Sequence, residues 1–458
     1  MSRRGLLITA EGLDRSGTGR LLELLARWLE RRGRTVEIVP PASSRSVRRA
    51  AASRRTRAFL DARVAALLTA VDFERGTEAT VRRYLARGSV VLVDRYVWTA
   101  IAREVARGLD RGWSRNLYQF ARRPDLSIYV RQAPDEALRR TVEDGNGNGI
   151  LVAASGALRP FLGRVVDEIE LLMEGADRDA GAIALRRLVL DGGAPISANA
   201  EAAREAVKPL IASSRRSRAG AKAVGEGSGN ETTNAQGKRI ARSSHGERGY
   251  LLVLEGLDHA GRSTHADLLA RHLREIGRAP VVTSFGESNI AGELIRRAKA
   301  ERGWDPTAIA LLYAADLAER IEHLIRPALR AGLIVIADRY TYTPVARAVA
   351  RGVDQAWLEG IFAFAPPPDR VVLLDIPPSV AVARSADAAI ASTTDRDRAR
   401  FEDYVRFQRR VSSWFADAAS PLGFDVVAAD REAEPVQRDI RAALGGLLDP
   451  EPLLVALS

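Results

Sequence analysis

A repeat constrains this chain more than any other feature. Gly12, Asp14 and Gly17 recur as Gly256, Asp258 and Gly261, and Asp94-Arg95-Tyr96 recurs as Asp338-Arg339-Tyr340. Arg107-Gly108 returns as Arg351-Gly352, and Pro124-Asp125 as Pro368-Asp369. Each pair is separated by 244 residues, from 12 to 256 and from 124 to 368 alike. One offset held over that distance requires a duplicated domain without insertions in the matched stretch. Farther along the copies drift, since FLGRV at Phe161 resembles FQRRV at Phe407 with the offset shifted by two.

Between the copies lies a stretch from Ser213 to Gly249 that is rich in Gly, Ser, Ala, Asn and charge and poor in large apolar residues. Such a stretch buries too little surface to offset its ordering entropy, and it is expected to be a flexible linker. The expected organisation of the 458 residues is a first domain over 1–212, a basic linker over 213–248 and a second domain over 249–458.

Each copy alternates strand and helix signals. In the second, GYLLVLEG reads as a buried strand ending in glycine, and STHADLLARHLREIG as a helix closed by glycine. APVVTSF is a second strand, AIALLYAADLAERIEHLIRPALRAG a helix, LIVIADRY a third strand and RVVLLDIPP a fourth. Near-continuous Val, Ile and Leu strands alternating with helices indicate a parallel sheet covered on both faces, an α/β fold in each copy. Ligands of such sheets sit beyond the carboxyl ends of the strands. The glycine loop, Asp338-Arg339-Tyr340 and Asp375 all fall at that edge.

Composition narrows the function. The chain has no cysteine, which excludes disulfides and thiolate metal sites, and only five histidines. No apolar run approaches the roughly 20 residues that cross a bilayer, and the short apolar run after the basic N-terminus does not make a signal peptide. A soluble cytoplasmic protein with no membrane partner is expected. A formal charge of +11 permits polyanion binding. The excess is arginine spread over helical segments and the linker, without a recurring basic and aromatic platform. Phosphorylated small molecules are therefore expected as partners rather than nucleic acid.

The chemistry concentrates in Gly256-Leu257-Asp258-His259-Ala260-Gly261-Arg262-Ser263-Thr264. A strand precedes it and a helix follows, the context that a G-x-x-x-x-G-K-[ST] phosphate loop needs. The glycines let backbone N–H groups turn around phosphate oxygens, and the helix N-terminus adds positive potential. Ser263 is the expected Mg2+ ligand. Arg262 stands where the loop carries lysine, keeping the charge but changing its geometry. In the first copy Thr18 and Gly19 take these two places, so that loop has neither the cation nor the hydroxyl after it, and no catalysis is expected there.

At this point the chain resembles two fused copies of the thymidylate kinase family. EGLDHAGRST, LLYAADLAERIEHLIRPAL, ADRYTYTPVA, PDRVVLLDIPP and RARFEDYVRFQRRV carry the resemblance in the second half, and EGLDRSGTGR, VLVDRYVWTAIA and PDLSIYVRQAP in the first. The resemblance implies two tandem P-loop nucleoside-monophosphate-kinase-like domains. It implies transfer of the γ-phosphoryl group of ATP to dTMP with Mg2+, by the second half. In that pattern Asp258 meets the deoxyribose hydroxyl, Asp338 serves the metal, Arg339 grips the acceptor phosphate and Tyr313 stacks on the base. Glu287 falls in the loop after the second strand, and Arg396, Arg398 and Arg400 fall in the lid, Arg398 as a catalytic cation. Family members are commonly homodimers, so either an intramolecular pseudo-dimer or a homodimer is implied.

Each role has a plainer alternative. Asp338 ending an apolar strand needs a cation or metal, but it also suits a helix cap or an ion pair with Arg339. Tyr313 lies in an apolar helical stripe that equally suits core packing, and the lid arginines suit a solvated helix face. Three positions depart from the family: Ser284 and Leu317 replace nucleotide-contacting arginines, and Arg347 replaces an aromatic where the base is read. Arg347 and Arg351 are the candidate replacement cations. The first copy departs further, with Thr69, Phe73 and Arg131 at the positions of Tyr313, Leu317 and Asp375, so it is expected to be a structural or regulatory partner. The alternative function is a non-catalytic nucleotide-binding protein in which both copies are degenerate.

Overall fold

The computed structural model describes residues 4–42, 45–143, 155–174, 186–216, 249–301, 303–385 and 395–447. The chain forms two compact units. One comprises Met1–Ser43 with Phe73–Gly246, the other Ser44–Asp72 with Glu247–Ser458.

The first unit holds strands β1 (Leu6–Gly12), β2 (Val36–Val39), β3 (Val90–Asp94), β4 (Leu126–Arg131) and β5 (Arg186–Asp191). The second holds β6 (Leu251–Gly256), β7 (Pro280–Ser284), β8 (Ile334–Asp338), β9 (Arg370–Asp375) and β10 (Asp425–Ala428). Both five-stranded sheets are parallel and run in the same order, β2-β3-β1-β4-β5 and β7-β8-β6-β9-β10. The α/β reading of each copy therefore holds. Every residue of β1 and of β6 is buried, because each is the middle strand with helices on both faces. The sequence reading contained four strands in the second copy; β10 is the fifth. It is a four-residue edge strand paired only with β9, and its Val426 is 55% exposed. An edge strand this short lacks the continuous apolar signature of a covered one.

Matching devices fix the central strand in each unit. The carboxylate of Asp125 accepts from the backbone N–H of Leu7, and that of Asp369 from Leu251, both at 2.8 Å. Asp110 and Asp354 cap the helices Arg111–Leu117 and Gln355–Phe362 by accepting from the N–H of Trp113 and Trp357, both at 2.7 Å.

Within the second unit, helix Ala62–Asp72 packs on helix Pro306–Arg320, its counterpart at the 244-residue offset. The long helix expected over 308–332 is three segments: Pro306–Arg320, a π-helical turn Ile321–Ile325, and Arg326–Arg330. Helix Ile196–Arg216 runs into the stretch expected as linker, and residues 217–248 lie outside the described residues. Among the described residues no helix is long and apolar enough to cross a membrane.

Candidate active site

The loop after β6 lies at the carboxyl edge of the sheet, where the middle strand meets its neighbours β8 and β9. Its backbone needs glycine at both ends. Gly256 has φ 143°, and a Cβ there would lie 2.5 Å from the carbonyl oxygen of Leu374. Gly261, at φ 87°, caps helix Arg262–Glu275 in the left-handed region. His259 takes φ 64° between them, and the N–H of Ala260 donates to Leu257 O at 3.2 Å. The N–H groups of this turn and of the first helical turn make an anion-binding concavity.

Arg262 does not project from the loop. Its side chain is 7% exposed. It donates through Nε to Asp338 Oδ1 at 3.1 Å, through Nη1 to Gly256 O at 2.8 Å, and through Nη1 to Leu257 O. Burial, and then the like charge of Arg339, bring its pKa down to about 10, so it remains a cation at neutral pH. Ser263 Oγ donates to Asp338 Oδ2 at 2.5 Å. The fork of an arginine thus joins loop carbonyls and strand-end carboxylate simultaneously, which a point-charge ammonium does with less directional precision. Ser263 and Thr264 are exposed on the first turn of the helix.

Asp258 is held by a second cluster. Arg347 Nη1 donates to both its oxygens, at 3.0 and 2.9 Å, Gln408 Nε2 donates at 3.0 Å, and Arg339 Nη2 donates to Oδ1. Burial pushes the carboxyl up, but Arg347, Arg339 and Arg262 together hold it well below the usual carboxylate range. Arg339 adopts φ 73°, an uncommon conformation for a non-glycine residue, with its N–H bonded to Leu254 O at 3.0 Å. Beneath this, the fully buried Glu255 accepts from Tyr340 N at 2.9 Å, Thr343 N at 3.3 Å and Thr343 Oγ1. Desolvation raises its pKa.

Beside the loop, Tyr313, Arg347, Arg351, Lys299, Ile309 and Pro344 line a cavity of about 240 Å3. Tyr313 meets Phe285 edge-on, with ring centroids 5.1 Å apart, and Arg351 lies 3.8 Å over the ring of Phe407. The substitutions at Ser284 and Leu317 have a neighbour that the sequence reading missed. Arg320, 4% exposed, donates to Asp316 at 3.0 Å and to Thr283 Oγ1 at 3.1 Å, and stacks 4.5 Å over Phe285. Its Nη2 has no hydrogen-bond partner among the described residues. The guanidinium therefore reaches the end of β7 next to Ser284, from one helical turn beyond Leu317. The signal was present as an arginine three residues on, along the same helix face.

The structure thus brings Arg262, Ser263, Asp338, Asp258, Arg339 and Arg347 together, with Tyr313 across the cavity. Glu287 instead accepts from the N–H of Ser284 at 2.8 Å. The backbone of Arg396, Arg398 and Arg400 belongs to helix Asp395–Leu422, but their side chains lie outside the described residues. Sequence reasoning also passed over Gln408 and Arg384, whose Nη1 donates to His259 O at 3.4 Å.

For a metal, the donors at the loop are the Ser263 hydroxyl and the Asp338 carboxylate. Hard oxygen donors of this kind suit Mg2+, which takes one or two carboxylates and completes its shell with phosphates and water. Among the described residues no group of three or more His, Cys, Asp or Glu side chains forms a protein-only cage.

The family model described as Thymidylate kinase matches residues 10–150 and 254–440, well over half of the chain. The chain is 36% identical over 202 residues to "Probable thymidylate kinase" of Thermococcus gammatolerans, covering 42% of this chain and 94% of the relative. It is 35% identical over 210 residues to "Probable thymidylate kinase" of Thermococcus kodakarensis, covering 44% and 99%. It is 37% identical over 194 residues to "Thymidylate kinase" of Thermomicrobium roseum, covering 41% and 90%. Each relative is thus matched almost end to end by less than half of this chain.

Proposed function

Because the chain belongs to the thymidylate kinase family and is a nucleoside monophosphate kinase, we propose that its second unit transfers the γ-phosphoryl group of ATP to dTMP, giving dTDP and ADP. The observation that carries this is the joined set Arg262, Ser263 and Asp338 at the mouth of a glycine loop. The first copy has Thr18 and Gly19 at the places of Arg262 and Ser263.

An oxygen of the acceptor phosphate forms a bond to the γ-phosphorus as the bond to the β,γ-bridging oxygen breaks. Such transfer needs alignment and charge neutralisation more than covalent chemistry. The loop N–H groups and the helix N-terminus would seat the donor phosphates. Ser263 Oγ and Asp338 would hold Mg2+, which when bound neutralises charge building on the β- and γ-oxygens. Arg262 would keep Asp338 aimed while closing the loop through the carbonyls of Gly256 and Leu257. Arg339 would face the acceptor phosphate, and Asp258 would fix Arg339 and Arg347 in place. Tyr313 and Arg347 would bound the acceptor's base and sugar in the cavity, with Arg351 at its rim. Arg320 would compensate at the end of β7 for the arginines that Ser284 and Leu317 replace. Arg398 is proposed as the lid cation, as the family pattern implies.

The test is a coupled assay of ADP release by the full chain against a panel of nucleoside monophosphates with ATP and Mg2+. dTMP-dependent turnover that stops on Asp338→Ala is expected. No turnover with any common nucleoside monophosphate would sink the reading.

A further inference from the structure

We infer that the first unit keeps a working nucleotide-binding pocket at its altered glycine loop, seating phosphates with Arg20 and Arg140 and needing no metal. The inference rests on family membership and not on which copy turns over. The loop after β1 retains the conformation of its counterpart, with φ 152° at Gly12, 64° at Arg15 and 92° at Gly17. Gly17 caps the 13-residue helix Thr18–Glu30. Ser16 is 3% exposed, its Oγ has no hydrogen-bond partner among the described residues, and it sits 2.8 Å from where a Cβ on Gly12 would lie. A buried hydroxyl without a partner inside an anion-binding turn is a donor available to a phosphate oxygen.

A cavity of about 260 Å3 adjoins that turn, lined by Ser16, Gly17, Arg20, Arg140, Ile196 and Asn199 among others. Arg140 Nη1 donates to Arg15 O at 3.2 Å, the bond that Arg384 makes to His259 O in the other unit. Arg20 and Arg140 are otherwise engaged with Glu23 and Glu136, both at 2.7 Å, in pairs exposed enough to be exchanged for a stronger phosphate contact. Val130 and Ile196 supply an apolar surface for the flat face of a nucleobase. Gly19 leaves no hydroxyl where Ser263 stands, and the Thr18 hydroxyl is engaged by Asp94. The two arginines rather than a divalent ion would therefore neutralise the phosphates. A nucleoside di- or triphosphate bound there is a ligand and not a substrate.

The test is calorimetry on the full chain with the β,γ-methylene analogue of ATP, with Mg2+ and again with EDTA. The wild type is expected to bind two equivalents with Mg2+, and the double variant Arg20→Ala, Arg140→Ala one. In EDTA the wild type retains the equivalent that the double variant lacks. Arg20 is exposed and Arg140 half-buried, and melting curves check that the double variant stays folded. One equivalent in the wild type, two in the double variant, or a first-unit equivalent that vanishes in EDTA would overturn the inference. One equivalent with normal dTMP turnover defeats this inference alone; two equivalents without turnover defeats only the proposed activity.

Discussion

At Gly12 and Gly256 the chain turns with φ of 152° and 143°, at Arg15 and His259 with 64° in both, and at Gly17 and Gly261 with 92° and 87°. Beneath each loop a fully buried glutamate, Glu11 or Glu255, accepts from the N–H of the tyrosine in Asp-Arg-Tyr and from the same threonine position, Thr99 or Thr343. Asp14 is gripped by Arg95 and Arg103 as Asp258 is by Arg339 and Arg347. The difference lies in two adjacent side chains. Arg262 and Ser263 occupy both oxygens of Asp338, whereas Oδ1 of Asp94 has no hydrogen-bond partner among the described residues, only the Arg95 guanidinium with Nε at 3.7 Å, and desolvation raises its pKa. Backbone shape is held by glycines and a buried carboxylate that both copies share. Chemistry at the loop depends on side chains that can be lost without disturbing that shape.

The largest test of this contrast is a pair of equivalent substitutions. Asp338→Ala should lower kcat by about a thousandfold, and Asp94→Ala should leave it within about twofold of wild type. The reverse pattern in the coupled assay would place the active site in the other unit.

Next comes Arg320, whose counterpart at the 244-residue offset is Gly76. Asp316 is fully buried and paired to Arg320. Arg320→Met should therefore cost about 3–5 kcal/mol in urea unfolding of the second unit, because it strands a buried charge. A loss under about 1 kcal/mol would mean that the Gly286 and Ser288 N–H groups bonded to Asp316 suffice.

Acid should separate wild type from Asp258→Asn. A carboxylate whose folded pKa lies below its unfolded value of about 3.9 stabilises the fold above that pH. The contribution is lost as pH falls through the folded value. Wild type should lose stability progressively as pH falls below about 4, and Asp258→Asn should be less stable at pH 7 but flatter below that pH. Parallel curves would show that Asp258 is not the acid-sensitive group.

Removing the matched caps should give matched costs. Asp110→Ala and Asp354→Ala should each lose about 1 kcal/mol, and a difference larger than that figure would break the equivalence of the two scaffolds. Smallest of all, Gly19→Ser puts a Cβ 3.3 Å from Asp94 Oδ2. It should add a few tenths of a kcal/mol of helix stability and make nucleotide binding by the first unit responsive to Mg2+.

What the sequence made legible follows from burial. β6, β8 and β9 are almost wholly apolar because helices cover both faces, so their run and their terminal residues could be read directly. β10, a half-exposed edge strand, carries no such signal. At the site, the loop and its attached strand ends were legible because glycine spacing and terminal carboxylates are local features. Partnerships across long separations were not. Nothing in the sequence places Gln408 on Asp258, 150 residues away, or turns Arg262 back onto the carbonyls of its own loop. Arg320 was hidden for another reason: it reaches the end of β7 from a single helical turn beyond the position where a cation was sought, and spacing rules test positions one at a time.

Helix Ala62–Asp72 belongs by sequence to the first copy and by packing to the second unit. Deleting the first copy would therefore also remove a helix that packs within the second unit. A chain starting at residue 247 would carry the second unit without one of its helices.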